Sequence, residues 1–397
     1  MGPDGLPDRG PATDRDPGGT GLLVSVVMPC LNEEAAVGAC VEQALQALAA
    51  MGVAGEVVVV DNGSSDRSAA VARGAGARVV EEPRRGYGSA YLRGFAEARG
   101  RYLVMGDADG SYDFGDLARF VEPLRAGEAE LVIGDRLGGE IRPGAMPWSH
   151  RWIGNPALSG MLRLLFRTRI SDSHCGMRSI ERDAYRRLNL RTTGMEFASE
   201  MVVSALRERL RIREIPITYH PREGESKLVG TRDAWRHVRF MLLYSPSYLF
   251  QLPGAVLMAV GALLVLALAG GPREIFGHRW DYHPLLFGAM ALVVGYQLVL
   301  FDTFAKVFAA GAGLARPGRS VRWVRELFSL ERGLLVGGLL FLAGLGLEAK
   351  IVLDWVRTGF GEMMAIRGVV IGMTAMVLGL ETAFGSFLVS LMLIPRR

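Results

Sequence analysis

Two carboxylates one residue apart are the side chains of this sequence best suited to chemistry. Asp107 and Asp109 directly follow a short apolar run, Tyr102 to Met105, which is typical of a buried strand. A turn at the end of such a strand places both side chains at the carboxyl edge of a sheet, where open α/β folds bind their ligands. Carboxylate oxygens suit Mg²⁺ or Mn²⁺, ions that proteins commonly hold together with substrate phosphates. The spacing therefore predicts a divalent cation here, although Asp is also frequent in turns that bind nothing.

The elements that must position these carboxylates follow from an alternation of strand-like and helix-like patterns. Strands are predicted at residues 22–28, 56–60, 77–81, 102–105, 131–133 and 212–219, and helices at 32–50, 68–74 and in a segment ending at 98. Asn32 is predicted to cap the first helix. Because the ends of parallel strands meet at one edge of a sheet, the polar loops that follow the first four strands should converge. The sequence thus predicts an α/β domain over residues 22–230 with a nucleotide-type cleft.

The composition restricts the class of protein. The 397 residues carry a net charge of +4, and half of them are hydrophobic. Cys30, Cys40 and Cys175 are scattered and odd in number, which argues against a disulfide framework and fits a reducing, cytosolic environment. The sequence has no zinc-ligand spacing and no motif that reads nucleic acid, so no nucleic-acid partner is expected. Residues 1–21 are rich in Gly, Pro and Asp without an apolar signal segment, which predicts a disordered tail.

Four apolar runs in the second half are each long enough to cross a membrane. They cover residues 249–270, 284–310, 333–353 and 367–394. The connector at 311–332 carries five arginines, and the positive-inside rule therefore places it, the first domain and the C-terminus in the cytoplasm. We expect a multi-pass protein of the cell membrane in which residues 249–397 form a four-helix transmembrane domain. These helices are also expected to allow assembly into a homo-oligomer.

Two basic amphipathic segments precede the apolar runs. The first, residues 148–169, is either a helix in the bilayer interface or a core helix with extended arginines, and both interpretations stay open. The second, residues 231–248, adjoins the first apolar run, which favours a juxtamembrane interface helix. Glu381 lies near the middle of the fourth run and should face protein, with Lys306 or a hydroxyl group as its partner. Asp302 and Lys306, four residues apart, are predicted to pair.

Eight short motifs occur in a characteristic order along residues 22–248. They are Pro29–Glu34 (PCLNEE), Asp61–Asp66 (DNGSSD), Gly86–Ala90 (GYGSA), Asp107–Asp109 (DAD), Ser171–Arg178 (SDSHCGMR), Gly194–Glu200 (GMEFASE), Glu214–Ile217 (EIPI) and Arg222–Lys227 (REGESK). With these motifs the chain resembles the inverting family 2 glycosyltransferases of the GT-A fold, and among them the dolichyl- and polyprenyl-phosphate mannose and glucose synthases. Two positions depart from the family pattern: Asn62 stands where Asp is common, and Ser111 stands where many relatives have a Gln or His metal ligand.

The resemblance implies four groups of site residues. The nucleotide sugar, GDP-mannose or UDP-glucose, would be bound by Pro29, Leu31, Glu33, Asp61, Gly86, Asp107, Arg222, Ser226 and Lys227. The Mg²⁺ or Mn²⁺ ion would be held by Asp107, Asp109 and Ser111, with Asp113 or water as alternatives to Ser111. The phosphate of a polyprenyl lipid would be bound by Arg136, Arg178 and Ser226. Catalysis would involve Asp107, Asp109, Arg136 and Asp172.

The resemblance implies transfer of a hexose from a nucleotide sugar to polyprenyl or dolichyl phosphate, with inversion, at the cytoplasmic face of a membrane. A lipid phosphate is already an anion and needs little or no general base, so the site has to align it, stabilise the leaving diphosphate and exclude water. A processive polysaccharide synthase is a disfavoured alternative, because the sequence has no Gln-x-x-Arg-Trp motif and the apolar runs all follow the catalytic domain. A non-catalytic lipid-sugar translocator or binding protein is a second alternative, against which the intact Asp107, Asp109 and Lys227 argue.

Overall fold

The computed structural model describes residues 21–224, 230–243, 245, 247–311, 329–361 and 365–394. The chain divides into two compact units, Met1–Leu243 and Tyr244–Arg397, and each is described by itself. The predicted disordered tail, except for Gly21, lies outside the described residues, as do the predicted site residues Ser226 and Lys227.

A seven-stranded sheet forms the centre of the first unit. Its strands are β1 (Val24–Cys30), β2 (Gly55–Asp61), β3 (Arg78–Glu81), β4 (Tyr102–Met105), β5 (Leu131–Ile141), β6 (Arg178–Glu181) and β7 (Ile212–Tyr219). They lie in the order β3-β2-β1-β4-β6-β5-β7, and every neighbouring pair is parallel except that β6 runs antiparallel to both β4 and β5. The valine-rich β1 and β2 are largely buried, as expected for parallel strands between two helical layers. The predicted α/β fold class is confirmed.

Two strands differ from the sequence prediction. β6 was not predicted, because Ile180 is the one apolar side chain in its four residues and the strand forms through its two neighbours. β5 begins at the predicted Leu131 but continues to Ile141, and its pairing with β7 is irregular between Asp135 and Glu140. Such a bulge takes side chains out of the regular in-and-out alternation. It lies at Arg136, one of the predicted site residues.

Helices cover the sheet and connect its strands. In the described part of the first unit they are α1 (Val37–Ala50), α2 (Ser68–Gly74), α3 (Tyr87–Glu97), α4 (Leu117–Arg125), α5 (Asn155–Phe166), α6 (Arg182–Leu188), α7 (Phe197–Arg207) and α8 (Gly230–Leu243). Asn32 does not cap α1: it has a φ of 53°, and its side-chain oxygen accepts a hydrogen bond from Ser65 N at 2.8 Å. The amphipathic segment predicted at 148–169 is divided into a π-helical turn, His150–Gly154, and α5.

The second unit contains the four predicted apolar spans. They cover Ser247–Leu268, Tyr282–Ala310, Leu330–Arg357 and Ile366–Met392. The helices are α9 (Leu252–Leu268), α10 (Tyr282–Gly311), α11 (Leu330–Arg357) and α12 (Ile366–Met392), and a short hairpin of β8 (Arg273–Ile275) and β9 (His278–Trp280) joins α9 to α10. The prediction of four helices long and apolar enough to cross a membrane is confirmed. The hairpin was not predicted, because its strands have only three residues each.

Glycine contacts hold two helical pairs together in this unit. A Cβ atom at Gly261 of α9 would lie 2.6 Å from Gly288 O of α10, and a Cβ atom at Gly344 of α11 would lie 2.5 Å from Gly372 O of α12. In each pair a second contact of the same kind lies seven residues away along the helix, at Gly254 and Gly337 respectively. Small residues at these positions let the helix backbones approach closely, which is a common basis of helix association in membranes.

The polar side chains of the spans pair with one another. Lys306 Nζ donates to Asp302 Oδ2 at 2.6 Å and to Gln251 Oε1 at 3.0 Å, which confirms the predicted pair. The predicted partner of Glu381 is wrong. Its Oε1 atom accepts a hydrogen bond from the Gln297 side-chain amide at 2.5 Å, because Gln297 of α10 faces it across the interface with α12.

Candidate active site

A cavity of about 280 Å³ lies at the carboxyl edge of the sheet in the first unit. Its lining residues are Pro29, Cys30, Leu31, Glu33, Asn62, Arg85, Gly86, Tyr87, Ala90, Asp107, Ala108, Asp109, Met195, Arg222 and Arg236. Seven of them were predicted from the sequence: Pro29, Leu31, Glu33, Gly86, Asp107, Asp109 and Arg222. The register of the sheet explains this convergence, because Cys30 of β1 pairs with Asp61 of β2 and Val27 of β1 pairs with Met105 of β4. The loops that follow these strands therefore begin side by side.

The two carboxylates that motivated the prediction both line this cavity. Asp109 is 7% exposed, and its Oδ1 atom accepts a hydrogen bond from Ser111 N at 3.0 Å. Asp107 Oδ1 accepts a hydrogen bond from the Tyr91 hydroxyl at 3.3 Å. Burial raises the pKa of Asp107 to about 7, and the neighbouring Asp109 charge adds to this, whereas hydrogen bonds from Tyr87 and Tyr91 act in the opposite direction. The pair is thus a site where a nearby positive charge would stabilise the ionised form.

The donor set fits a hard divalent cation that is shared with a substrate. Asp107 and Asp109 offer carboxylate oxygens, and no group of three or more His, Cys, Asp or Glu side chains able to hold a metal occurs in the described ranges. Ser111 is not one of the cavity-lining residues, and Asp113 faces Gln43, whose side-chain amide donates to it at 2.5 Å. Further ligands would come from water and substrate phosphates, as is usual for Mg²⁺.

Arg222 connects the two acidic loops of the cavity. Its Nη2 atom lies 3.2 Å from Asp109 Oδ2 and 3.6 Å from Glu33 Oε1. Glu33 is fixed in turn, since its backbone N donates to Ser68 Oγ at 2.8 Å. The Arg222 side chain is 27% exposed, so its guanidinium lies at the surface of the cavity, within reach of a bound anion.

Asn62, which departs from the family pattern, hydrogen-bonds to the backbone of the loop at residues 82–86. Its side-chain nitrogen donates to Glu82 O at 2.8 Å and to Arg84 O at 2.9 Å, and its side-chain oxygen accepts from Gly86 N at 2.7 Å. An ionised Asp could accept the last of these hydrogen bonds but could not donate the first two. Asn62 therefore fixes the loop that brings Arg85 and Gly86 to the cavity. The predicted neighbour Asp61 does not line the cavity; its Oδ1 atom accepts from Ser64 N at 3.2 Å.

A second loop, residues 191–195, forms a wall of the cavity through Met195. Glu200, which is 3% exposed, holds this loop by accepting hydrogen bonds from Thr192 N at 2.9 Å and Thr192 Oγ1 at 2.6 Å. The loop in turn packs against the start of α3, where Ser89 N donates to Thr193 O at 3.1 Å. Gly86 permits this contact, because a Cβ atom there would lie 2.2 Å from Thr193 O. Glu200 thus positions the loop.

Arg136 and Asp172, both predicted to be catalytic, form a buried ion pair outside the cavity lining. Arg136 Nε and Nη2 donate to the two Asp172 oxygens at 2.6 and 2.9 Å, and their side chains are 8% and 0% exposed. Burial opposes ionisation of Asp172, but the Arg136 charge outweighs it and lowers the pKa of this carboxyl. The Asp172 backbone N donates to Glu214 Oε1 at 3.2 Å. The pair therefore fixes the loop after residue 170 against the bulge of β5, and neither side chain is among those that line this cavity.

Arg178, which was predicted to bind the lipid phosphate, lies in the interior of the domain. Arg178 is fully buried, and its three guanidinium nitrogens donate to the carbonyl oxygens of Cys175, Ala198 and Ser173 at 2.8, 2.7 and 2.8 Å. Three of its five N–H groups are thus used by backbone acceptors, and the side chain is closed off from solvent. Arg178 ties the loop before β6 to α7.

Several cavity residues were not predicted. Asn62 and Tyr87 lie inside motifs that the sequence did single out, so the signal was present but was assigned to neighbouring positions. Arg85 directly precedes the Gly86–Ala90 motif; it is an exposed loop arginine, a kind of residue too common in loops to predict a site. Arg236 lies more than a hundred residues beyond Asp109, on α8, where the sequence pattern indicated only an amphipathic helix.

Comparison with known proteins identifies two family regions. The Glycosyl transferase family 2 profile matches residues 25–188, and the Glycosyltransferase family 2 C-terminal transmembrane region matches residues 303–393. The first region contains the Asp107–Asp109 strand end, and the second covers the last helices of the second unit.

Individual relatives agree with these matches. The low-salt glycan biosynthesis hexosyltransferase Agl6 of Haloferax volcanii is 43% identical over 92% of this chain and 88% of its own length. A dolichyl-phosphate hexose transferase of the same organism is 32% identical over 52% of this chain and 86% of its length. The dodecaprenyl-phosphate galacturonate synthase of Rhizobium johnstonii is 26% identical over 72% of this chain and 88% of its own length. With its mixed α/β domain, its acidic strand end and its four apolar helices, the chain belongs to glycosyltransferase family 2.

Proposed function

We propose that this protein transfers a hexose from a nucleoside diphosphate sugar to a polyprenyl or dolichyl phosphate, with inversion at the anomeric carbon. The observation that carries the proposal is the cavity in which Asp107 and Asp109 meet Arg222 beneath the loops of β1 and β2. Two carboxylates and several arginines around one cavity are the groups that a metal-bound diphosphate requires. The similarity to a dolichyl-phosphate hexose transferase and to a dodecaprenyl-phosphate galacturonate synthase supports the acceptor class.

The donor would occupy the cavity from the β1 side to the acidic loop. Pro29, Leu31 and Glu33 would contact the base and ribose, and Asp107 and Asp109 would hold Mg²⁺ or Mn²⁺ on the diphosphate. When bound, this ion supplies charge that stabilises the leaving nucleoside diphosphate. Arg222, now paired with Asp109 and Glu33, would turn toward the diphosphate, because a phosphate oxygen is a stronger partner for a guanidinium than a shared carboxylate. Ser226 and Lys227, predicted for the same task, follow Arg222 in the chain.

The acceptor would attack without a dedicated base. A polyprenyl phosphate carries a negative oxygen at neutral pH, so the residues around it need only align that oxygen with the anomeric carbon and keep water away. The described cavity fits this requirement: its arginines can bind anions, and the loop carrying Met195 closes one wall. Inversion follows from a single displacement by the lipid phosphate on the face opposite the diphosphate.

The membrane setting completes the proposal. The arginine-rich connector at 311–332 favours a cytoplasmic position for the first unit. Trp148, Trp152 and Leu164 near α5 and Trp235 on α8 are each more than three-fifths exposed, with arginines beside them. Aromatic and basic side chains of this kind suit a bilayer interface, so we propose that these helices lie at the cytoplasmic membrane surface, where they receive a lipid acceptor.

The test is a transfer assay with the purified full-length chain in a non-ionic detergent. A panel of UDP- and GDP-hexoses is incubated with a polyprenyl monophosphate and either Mg²⁺ or Mn²⁺, and the lipid product is separated and identified by mass. We expect one donor to give a monophosphate-linked lipid sugar and the metal-free sample to give none. A longer sugar chain on the product would favour a processive synthase, and absence of product with every donor would contradict the proposal.

A further inference from the structure

An acceptor phosphate bound in the cavity would need a cation that faces it. Arg178 is used by three backbone carbonyls, and Arg136 is paired with Asp172 outside the cavity lining. Among the described residues, three arginines do line the cavity: Arg85, Arg222 and Arg236. A phosphate bound in this cavity would therefore meet one of these three arginines.

Two of the three belong to the donor side. Arg85 Nη2 donates to Gly63 O at 3.0 Å, so this side chain lies over the loop that follows β2. Arg222 lies between Glu33 and Asp109, where the diphosphate would be bound. Arg236 comes from a different element, α8, the last helix of the first unit. It stands eleven positions before Ser247, the first residue of the first apolar span, and it is thus the cavity arginine closest in the chain to the membrane.

A buried polar network fixes α8 in the position that brings Arg236 to the cavity. His237, the next residue, is 7% exposed, and its Nδ1 atom hydrogen-bonds to Ser199 Oγ of α7 at 2.8 Å. Ser199 Oγ also lies 3.3 Å from His174 Nε2, and His174 Nδ1 lies 2.9 Å from Ser173 Oγ. The network thus joins α8 to the loop that carries Asp172.

Apolar packing fixes the same helix face. Phe240 and Met241, which share one side of α8 with His237, are 6% and 0% exposed. Trp235 and Arg239 lie on the exposed side. The helix therefore has one defined rotation, and in that rotation the exposed Arg236 side chain lines the cavity.

From these contacts we infer that Arg236 binds the phosphate of the polyprenyl acceptor, and that His237 and Ser199 position it. The inference rests on the function proposed above. A guanidinium presents a planar pair of N–H groups that suits phosphate oxygens, and an arginine differs from a lysine most clearly in such two-point contacts. Its removal should weaken acceptor binding while the donor, held by the acidic loops, binds as before.

The experiment compares three variants of the full-length protein. The assay uses a non-ionic detergent, so that no anionic bilayer surface attracts the arginines. Arg236→Gln removes the positive charge. Arg236→Lys keeps the charge but removes the planar pair of N–H groups, and Arg239→Gln is the control on the exposed side of the same helix. Steady-state KM values are measured for a polyprenyl monophosphate and, separately, for the nucleotide sugar. We expect Arg236→Gln to raise the acceptor KM about tenfold or more, the strength of a charge-assisted contact, with the donor KM within about twofold of wild type.

The conservative and control variants decide the interpretation. Arg236→Lys should give an intermediate acceptor KM, and Arg239→Gln should match wild type. An unchanged acceptor KM in Arg236→Gln, an equal rise in both KM values, or the same effect in Arg239→Gln would overturn the inference. If wild type transfers hexose to the lipid but Arg236→Gln behaves like it, this inference alone fails. If wild type transfers to no polyprenyl phosphate, the proposed function fails and this inference falls with it.

Discussion

The buried pair of Arg136 and Asp172 gives a prediction whose size follows from its geometry. Its two hydrogen bonds are 2.6 and 2.9 Å long, and both side chains are nearly or fully buried. Replacing Asp172 with Leu leaves the guanidinium charge buried without a partner, a change that costs about 3–5 kcal/mol. For a unit of this size, each kcal/mol lowers the unfolding midpoint by roughly 2–4 °C, so we expect a decrease of about 6–20 °C.

A double-mutant cycle tests whether the cost comes from the pair itself. Asp172→Leu, Arg136→Met and the double variant are unfolded thermally as full-length protein in detergent, and the free energies of unfolding are compared. An apolar pair of similar size removes both buried charges together, so the double variant should be closer to wild type than either single variant. We expect it to retain an acceptor KM within a few-fold of wild type, because neither side chain lines the cavity. Additive single effects, or a stable double variant that no longer binds the acceptor, would refute a mainly structural role.

Three further predictions concern other parts of the chain. Burial and the neighbouring His237 hold the pKa of His174 well below its usual value. Its imidazole therefore stays neutral in the folded chain at a pH where it would bind a proton in the unfolded chain. The contribution of this group to the free energy of unfolding is therefore present above pH 6.5 and lost progressively as the pH falls below it, and denaturant titrations should show a smaller pH dependence in His174→Gln. Gly86→Val should raise the donor KM and lower the melting temperature, because a Cβ atom there lies 2.2 Å from Thr193 O, whereas Gly74→Val, with open space around it, should leave the donor KM unchanged. Gly344→Leu should destabilise the second unit by about 1–3 kcal/mol through overpacking against Gly372, and a thermal scan that finds Gly346→Leu, which faces open space, equally destabilised would contradict the glycine contact.

The parts of the fold that could be predicted are those with a strong local signal. β1, β2 and β4 are continuous apolar runs, and their bounds lie within two residues of the prediction. The four spans follow from length and hydropathy alone. β6 and the extension of β5 could not be predicted, because their strand conformation depends on partners that are distant in sequence.

The site residues divide in the same way: those within local sequence motifs could be predicted, and those placed by contacts distant in sequence could not. Leu31, Gly86 and Asp109 were predicted because each lies in a short family-like motif of a loop that follows a strand. The pairing of Arg136 with Asp172, thirty-six residues apart, was not visible in the sequence, so both were assigned to the substrate. Arg236 has no motif around it, and only the packing of α8 brings it to the cavity.

The most direct test of the central claim is hexose transfer by Asp109→Ala with saturating Mg²⁺ or Mn²⁺. Asp116→Ala is the matched control, since Asp116 forms a partly exposed ion pair with Arg119 at 2.9 Å and does not line the cavity. We expect Asp109→Ala to lose about 100-fold or more in kcat/KM, because it would remove direct stabilisation of the leaving diphosphate, while the control keeps wild-type activity. Full transfer by folded Asp109→Ala would contradict the claim that this strand end holds the cation and the donor.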